Sequence, residues 1–324
     1  MPINMNDNRL ILAADVGGTK TLMALYDSSY RLLREGRYEN AEYASIEAVI
    51  ADFLEEDEAV GLAVFGVAAP ILNGRADFTN LGWSVDGATL KDEFNICEVL
   101  LLNDMTASAY ALKVLGDGDL RMLQEGTKNE YGNRAIISPG TGLGEALVFV
   151  ADDGLHHPLP SEGGHVDFAP STKEEFRLYE FLNARYGHVS YERVVSGGGI
   201  VDIYDFLRGS GSATDLVTAA KITEEALNGD GNDTCKRALD IFVEVLAREA
   251  GNLALKGLAR GGVYIGGGIA PKIIDLIDRP EFLTAFSDKG RFKEMLLTMP
   301  VYLITNSKVV VIGAVEYAKK VLGK

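Results

Sequence analysis

The stretch LILAADVGGTKTLMALYD, from Leu10 to Asp27, decides the fold of this chain. LILAAD is apolar enough for a buried strand, VGGT has the composition of a tight turn, and LMALYD predicts the returning strand of a hairpin. We expect the two glycines of the turn to supply the positive φ that a tight hairpin needs.

A second hairpin of the same plan lies far downstream. RAIIS (134–138) predicts a strand, PGTGLG (139–144) a glycine turn, and EALVFV (145–150) the returning strand. The separation is too long for a solenoid repeat and fits a duplicated domain. We therefore predict that the chain consists of two related halves.

Strands alternate with helices around both hairpins, which predicts an α/β fold. In the last helical segment, the small residues Gly313 and Ala314 predict close helix packing, and we expect this helix to return to the first half. Apolar runs predict buried strands at 59–68, 98–102 and 261–268, and helical periodicity is seen at 45–56, 174–187, 213–229, 235–259, 271–277 and 309–322.

Length, composition and charge limit the class of protein. The 324 residues suffice for two domains, and 47% hydrophobic with 24% charged residues is typical of a globular protein. A formal net charge of −16 opposes binding to nucleic acid and to anionic membrane surfaces. No apolar run reaches membrane-spanning length and no signal peptide is recognisable, so we expect a cytoplasmic protein. Cys97 and Cys235 have no nearby partner, which excludes a disulfide framework or a CxxC metal site and predicts two buried cysteines.

Three glycine turns follow predicted strands: Asp15–Thr19, Gly140–Gly144 and Gly266–Gly268. Such turns expose backbone N–H groups that can hold phosphate oxygens, although any one of them alone is more often only a turn. The chain has no G-x-x-x-x-G-K-[ST] motif, and GTGLGE lacks the G-x-G-x-x-G spacing and precedes a strand, so a dehydrogenase is disfavoured. Two phosphate hairpins in duplicated halves, with a later glycine turn that leads into a helix, are the layout of the sugar kinase, hsp70 and actin superfamily.

Further motifs extend this likeness to one family: LLLNDMTASAYAL, SPGTGLGEALV, SEGGHVDFAP, YGHVSYERVVSGGGIVDIY and GGVYIGGGIAPKI, in this order. Over nearly its entire length the chain resembles the bacterial glucokinase family. The resemblance implies a duplicated actin-like ATPase (ribonuclease H-like) α/β fold, with two domains and an interdomain cleft. It also implies ATP-dependent phosphorylation of the 6-hydroxyl of glucose by a homodimer. The expected domains are a small one at 1–112, rejoined by the helix 307–324, and a large one at 113–306.

Asp104 stands just beyond the apolar run 98–102. Phosphoryl transfer to an alcohol needs a group that orients the hydroxyl and accepts its proton, and a carboxylate at a strand end can do both. The competing interpretation is an N-cap for a helix that begins near Met105, and the two roles can coexist. The resemblance makes Asp104 the catalytic base. It also makes Asn103 a sugar ligand, against the alternative that Asn103 only holds its own backbone in a turn.

The resemblance implies further sugar ligands, namely Asn80, Glu162, His165 and Glu192. Carboxylates and an imidazole suit hydroxyl groups, which are donors as well as acceptors, whereas Asn80 also fits a loop turn. A zinc site is the alternative, because all four histidines lie between His156 and His188, but no thiolate is nearby and the H-E-x-x-H spacing is missing. His156 and His157 are expected in a surface loop, and Trp83 in the core.

The nucleotide site follows from the same resemblance. Asp15 is expected to orient the Mg²⁺ of MgATP through water, with the metal carried by the nucleotide and not by a protein site. The turns at 17–19 and 140–142 would contact phosphate, and 266–268 would lie against the adenosine. Lys20 has no assigned role. The residues assigned to the nucleotide are Ala14, Asp15, Val16, Gly17, Gly18, Thr19, Gly140, Thr141, Gly142, Gly266, Gly267 and Gly268.

Three other functions agree with parts of this pattern. The nearest is a kinase for another hexose or an N-acetylhexosamine, since the residues fix hydroxyl groups without showing which stereocentre is tested. A sugar-responsive transcription regulator would need a helix-turn-helix before the first hairpin, where only a short polar leader precedes Leu10. A nucleotide-driven polymer or chaperone would need no sugar ligands. The predicted partners are therefore glucose and MgATP, with neither nucleic acid nor a membrane.

Overall fold

The computed structural model describes residues 9–78, 81–127, 129–209, 218–228 and 232–323. The chain divides into a first compact unit, Met1–Gly116 with Asn306–Lys324, and a second compact unit, Asp117–Thr305. The strands are β1 (Leu10–Val16), β2 (Lys20–Tyr26), β3 (Leu32–Glu39), β4 (Val60–Val67), β5 (Ile71–Leu72), β6 (Arg75–Phe78), β7 (Trp83–Asp86), β8 (Glu98–Asn103), β9 (Leu120–Gln124), β10 (Arg134–Pro139), β11 (Leu143–Val150), β12 (His156–Ser161), β13 (Gly262–Ile265) and β14 (Val301–Ile304). The helices are α1 (Ile46–Phe53), α2 (Gly87–Glu93), α3 (Asp104–Ala111), α4 (Lys173–Tyr186), α5 (Gly197–Arg208), α6 (Ala219–Leu227), α7 (Asp233–Gly257), α8 (Ile274–Ile277), α9 (Pro280–Ser287), α10 (Lys293–Leu297) and α11 (Val309–Val321).

The main sheet of the first unit has the strand order β3-β2-β1-β4-β8. β1 pairs antiparallel with β2, as the hairpin prediction requires, and parallel with β4, which pairs parallel with β8. Every residue of β4 is buried, because a central parallel strand is covered on both faces. A small antiparallel sheet, β5-β6-β7, belongs to the same unit.

The main sheet of the second unit repeats this arrangement. Its order is β12-β11-β10-β13-β14-β9. β10 pairs antiparallel with β11 and parallel with β13, which pairs parallel with β14. The strands β11-β10-β13-β14 therefore correspond one by one to β2-β1-β4-β8. The prediction of two related α/β halves is confirmed.

Helix α11 covers one face of the first sheet. Gly313 makes a close approach of α11 to α3 possible, because a Cβ atom at Gly313 would lie 1.7 Å from the carbonyl oxygen of Ala107 on α3. On the sheet below, a Cβ atom at Gly66 would lie 2.3 Å from Cγ1 of Val310. Ala314 is completely buried against the apolar residues of β1 and β4. Helix α11 therefore packs closely against α3 and the first sheet.

Two predictions about local backbone are wrong. Neither Gly17 nor Gly18 has a positive φ, and the turn that connects β1 to β2 has three residues, so it is not the two-residue hairpin turn that the prediction assumed. The segment 271–277 is not one helix, since a 3-10 turn at Ala270–Ile273 precedes the short α8. Such turns are frequent at helix ends, and Pro271 is the second residue of this one.

Two predictions about placement are also wrong. His156 and His157 lie on β12 and not in a loop, because the chain turns back after Gly154 and pairs with β11. Cys97 is exposed, whereas Cys235 is buried as predicted.

Trp83 is buried in the core of the first unit, also as predicted. Within the described ranges, no helix combines the length and the apolar character needed to cross a membrane.

Candidate active site

The turn between β1 and β2 has the properties of a phosphate cradle. The N–H group of Gly17 donates to the carbonyl oxygen of Lys20 at 3.0 Å, which closes the turn. Among the described residues, the N–H groups of Gly18 and Thr19 have no protein acceptor. A Cβ atom at Gly18 would meet no atom within 4 Å, so the space beside the turn is open. Exposed backbone donors next to open space suit an anion.

Asn40 holds this turn in place through hydrogen bonds to its carbonyl oxygens, a role that the sequence did not reveal. Its Nδ2 atom donates to the carbonyl oxygen of Gly17 at 2.8 Å, and its N–H group donates to that of Thr19 at 2.9 Å. Its Oδ1 atom accepts from the hydroxyl of Thr21 at 2.8 Å, and the residue is 1% exposed. Lys20 pairs with Glu39 on the neighbouring strand and forms an exposed ion pair.

The carboxyl ends of the parallel strands β1, β4 and β8 bring Asp15 and Asn103 to one edge of the first sheet. Asp15 is level with Gly66 of β4, and Asn103 is level with the residue that follows Gly66. Burial, and after it the negative charge of Asp104, raise the pKa of Asp15 to about 7, against a lowering by Arg37. Two carboxyl groups therefore influence each other at this edge.

The structure separates the roles of Asn103 and Asp104. Helix α3 begins at Asp104, and its N-cap is Asn103, whose Oδ1 atom accepts the N–H groups of Met105 at 3.0 Å and Thr106 at 3.3 Å. The interpretation of Asp104 as the N-cap is therefore wrong, because the cap lies one residue earlier. The capping bonds use the carbonyl oxygen of the Asn103 amide, and the N–H groups of that amide have no acceptor among the described residues.

In the second unit, three predicted sugar ligands lie close together. Nδ1 of His165 is 3.9 Å from Oε1 of Glu192, and Nε2 of His165 is 4.0 Å from Oε2 of Glu162. The other carboxylate oxygen of Glu192 accepts the N–H group of Leu143 at 3.0 Å. A Cβ atom at Gly142 would lie 2.4 Å from that oxygen. The candidate sugar ligands are thus connected directly to the 140–142 turn.

The two glycine turns of the second unit are neighbours. Gly267 has φ +80°, and a Cβ atom there would lie 2.3 Å from the carbonyl oxygen of Pro139, so this approach requires glycine. The N–H group of Gly197, at the start of α5, donates to the carbonyl oxygen of Gly140 at 2.9 Å. The SGGG motif at 196–199, to which the sequence alone assigns no role, therefore lies beside the 140–142 turn and joins the candidate nucleotide site.

The remaining assigned residues fall into three groups. Ala14 and Val16 are completely buried in β1, so only their backbone can serve a ligand. Thr141 is exposed in its turn. Asn80 lies outside the described residues.

The first unit also suits the magnesium ion that the resemblance implies. Among the described residues, no group of three His, Cys, Asp or Glu side chains could hold a metal ion by itself. Asp15 and Asp104 offer oxygen ligands of the kind that Mg²⁺ prefers, and a cation beside them would offset the burial and the Asp104 charge that raise the pKa of Asp15. These residues fit a metal ion that arrives with the nucleotide.

Comparison with known proteins gives a consistent result. Residues 12–321 match the family described as Glucokinase. A glucokinase of Synechocystis sp. is 37% identical, with 94% of this chain and 96% of that protein covered. The solved structure of a glucokinase from an Antarctic psychrotroph has a TM-score of 0.83 at 31% identity, with 98% of this chain and 100% of that one covered. A ROK family glucokinase from Streptomyces griseus, solved with glucose and AMPPNP, shares the fold with a TM-score of 0.64 at 19% identity and covers 96% of this chain and 99% of its own.

The duplicated sheets, the glycine turns and these likenesses define an actin-like sugar kinase. The chain belongs to the glucokinase family. The family and the fold class predicted from the sequence are confirmed.

Proposed function

We propose that this protein transfers the γ-phosphoryl group of ATP to the 6-hydroxyl of D-glucose, which gives glucose 6-phosphate and ADP. The observation that carries the proposal most directly is the position of Asp104. It follows the carboxyl end of β8, in the same sheet whose first hairpin forms the 17–19 turn. A proton acceptor and a phosphate cradle therefore belong to one sheet. Membership of the glucokinase family supports glucose and ATP as the substrates.

Each group in this proposal has a chemical task. The exposed N–H groups of the turns at 17–19 and 140–142 bind phosphate oxygens and hold the terminal phosphoryl group. The sugar hydroxyl oxygen forms a bond to the γ-phosphorus while the bond to the leaving ADP oxygen breaks, and Asp104 accepts the hydroxyl proton. Asp15 would orient the Mg²⁺ that accompanies the nucleotide, and this ion would supply positive charge to the phosphate oxygens.

The sugar is held by groups that can both accept and donate. The carboxylates of Glu162 and Glu192 accept from sugar hydroxyls, and the His165 ring does either. The N–H groups of the Asn103 amide donate to a hydroxyl oxygen while its carbonyl oxygen caps α3. Asn80 stays a prediction. On the family resemblance alone, we further propose a cytoplasmic homodimer, with domains at 1–112 with 307–324 and at 113–306.

The test is a coupled assay of ADP release from MgATP with glucose, fructose, mannose or N-acetylglucosamine, and without sugar. We expect rapid release with glucose only. Asp104→Ala should lower kcat by about 10²–10⁴-fold, the usual contribution of a positioned acid or base. Asp92→Ala, which removes an exposed carboxylate from α2 in the same unit, is the matched control and should leave kcat unchanged.

Three results would change the proposal. Sugar-independent ADP release contradicts a sugar kinase. A preference for another of the sugars transfers the assignment to that substrate. Comparable turnover of Asp104→Ala and the control removes Asp104 as the base.

A further inference from the structure

A buried pair of acidic residues lies in the second unit, next to the candidate sugar ligands. Glu145 on β11 is 1% exposed, and Glu249 on α7 is 0% exposed. The Oε1 atom of Glu145 has no hydrogen-bond partner among the described residues. Burial without a donor disfavours the charged form of a carboxyl group. The function proposed above uses neither residue.

The surroundings of the pair decide which member carries the charge. Nδ2 of Asn252 donates to Oε2 of Glu249 at 2.8 Å, and Nζ of Lys256 donates to its Oε1 at 3.2 Å. Glu249 therefore has the donors that a carboxylate needs. Burial, and after it the charge of Glu249, raise the pKa of Glu145 to about 7, against a lowering by Lys256. Glu145 is thus the neutral member below pH 7.

Glu145 contacts the segment that carries Glu162 and His165. A Cβ atom at Gly163 would lie 2.0 Å from Oε2 of Glu145, so only glycine permits this contact. The N–H group of Gly163 donates to Oγ of Ser161 at 2.9 Å, and Ser161 is the residue of β12 that pairs with Glu145. The start of the 162–165 segment therefore lies directly against the Glu145 carboxyl group.

The same cluster supports the turn that carries Glu192. Tyr191 is 4% exposed, and its hydroxyl accepts from Nδ2 of Asn252 at 3.0 Å. Burial and the charge of Glu249 raise the pKa of Tyr191. Nζ of Lys289 donates to Oδ1 of Asn252 at 2.7 Å. The titratable groups around Glu145 are therefore Glu249 and Lys256 on α7, Tyr191 next to Glu192, Lys289 behind Asn252, and His165 and Glu162 in the segment itself.

We propose that Glu145 is a positioning residue whose proton keeps the 162–165 segment in its sugar-binding conformation. When Glu145 loses the proton, two buried negative charges face each other while Lys256 is already bound to Glu249. The new carboxylate needs water or donors. The backbone at Gly163 packs over the Glu145 carboxylate. Movement of the 162–165 segment would admit water to this carboxylate and would displace both Glu162 and His165. Sugar affinity then falls as the pH rises through neutrality.

This inference rests on the proposed function, because it takes glucose as the sugar. The experiment is a calorimetric titration of the whole protein with glucose, without nucleotide, at pH 6, 7 and 8. The Kd of the wild-type protein should rise about tenfold between pH 6 and pH 8, the limit for one group with a pKa near 7. Glu145→Gln keeps the shape of the protonated acid and should bind glucose with a Kd that does not follow this rise.

Two further variants make the test specific. Glu180→Gln, which removes an exposed carboxylate from α4 of the same unit, should follow the wild-type profile. Glu249→Gln removes the charge that raises the pKa of Glu145, so its rise in Kd should begin at lower pH. A change of shape alone would not move the pH at which Kd rises.

The outcomes separate this inference from the proposed function. Parallel profiles for the wild type and Glu145→Gln, or a wild-type Kd that is constant with pH, overturn the role of Glu145 and leave the kinase proposal intact. A wild-type protein that binds no glucose at pH 6 overturns both. If Glu145→Gln does not fold, the Glu249→Gln profile decides, and a profile identical to that of the wild type overturns the inference.

Discussion

Asp15→Asn should stabilise the first unit while it impairs catalysis. In the unfolded chain the carboxyl group has its ordinary pKa of 3.8, and in the folded protein the pKa is about 7. The folded state therefore binds more protons than the unfolded state between these values, so stability falls as the pH rises through this range. The loss is complete above the folded pKa. An asparagine has the shape of the protonated acid and does not lose stability in this way.

The size of the effect follows from the same two values. Each pH unit between them corresponds to about 1.4 kcal/mol, so the full difference is about 4 kcal/mol at pH 8. At pH 5 only the first part of the range has been crossed, and the difference between the variant and the wild type should be about 1.5 kcal/mol. The advantage of Asp15→Asn should therefore grow with pH.

Trp83 provides the measurement, because it is the one tryptophan of the chain and is buried in the first unit, where Asp15 lies. Urea unfolding followed by its fluorescence, at pH 5 to 8 and without nucleotide or metal, gives the free energy of unfolding of this unit. Asp92→Asn, at an exposed position, is the control and should be neutral at every pH. Asp104→Asn should move the wild-type loss of stability to lower pH, since the charge of Asp104 raises the pKa of Asp15. A stability difference between Asp15→Asn and the wild type that is constant with pH would refute the reasoning.

Two further substitutions test packing and the support of the phosphate cradle. Gly313→Ala places a methyl group against the backbone of Ala107 and should lower the free energy of unfolding by about 1–3 kcal/mol, while Gly116→Ala, whose Cβ atom meets nothing within 4 Å, should be close to neutral in the same Trp83 assay. Asn40→Ala leaves the half-buried carbonyl oxygen of Gly17 without its donor, should destabilise the first unit by about 1–3 kcal/mol, and should raise the KM for ATP more than that for glucose. A Gly313→Ala protein as stable as the Gly116→Ala control, or equal changes in the two KM values of Asn40→Ala, would contradict these expectations.

The local sequence pattern was sufficient to predict the two hairpins. The apolar runs on either side of each glycine turn are short-range signals, and they predicted β1 with β2 and β10 with β11 in the correct pairing. The conformation of the first turn was not predictable in the same way. A glycine permits positive φ but does not require it, and in the turn of 17–19 the glycine at position 18 leaves open space instead.

The N-cap of α3 shows how precisely the start of a helix can be predicted from the sequence. Asn103 and Asp104 are both good N-cap residues, and composition cannot say which of two neighbours is the last residue outside the helix. The register of β8 decides it, because β8 continues through Asn103. Only the three-dimensional structure therefore separates the capping amide from the carboxylate.

The roles of Glu145 and Asn40 were not predictable from the sequence for a different reason. A glutamate at the start of an alternating strand has the pattern of a surface residue, and its buried partner Glu249 lies on a helix far along the chain. Asn40 likewise acts on a turn that is distant in sequence. Neither pairing has a local signal, because both depend on how the sheets and helices of a unit fold together.

The packing of α11 has a consequence for synthesis of the protein. Residues of β1 and β4, such as Ile11 and Val64, emerge from the ribosome long before Val311 and Ala314, with which they share a buried cluster. One apolar face of the first sheet therefore stays uncovered until α11 has been synthesised. During that interval the nascent chain exposes an apolar surface that can bind chaperones or lead to aggregation.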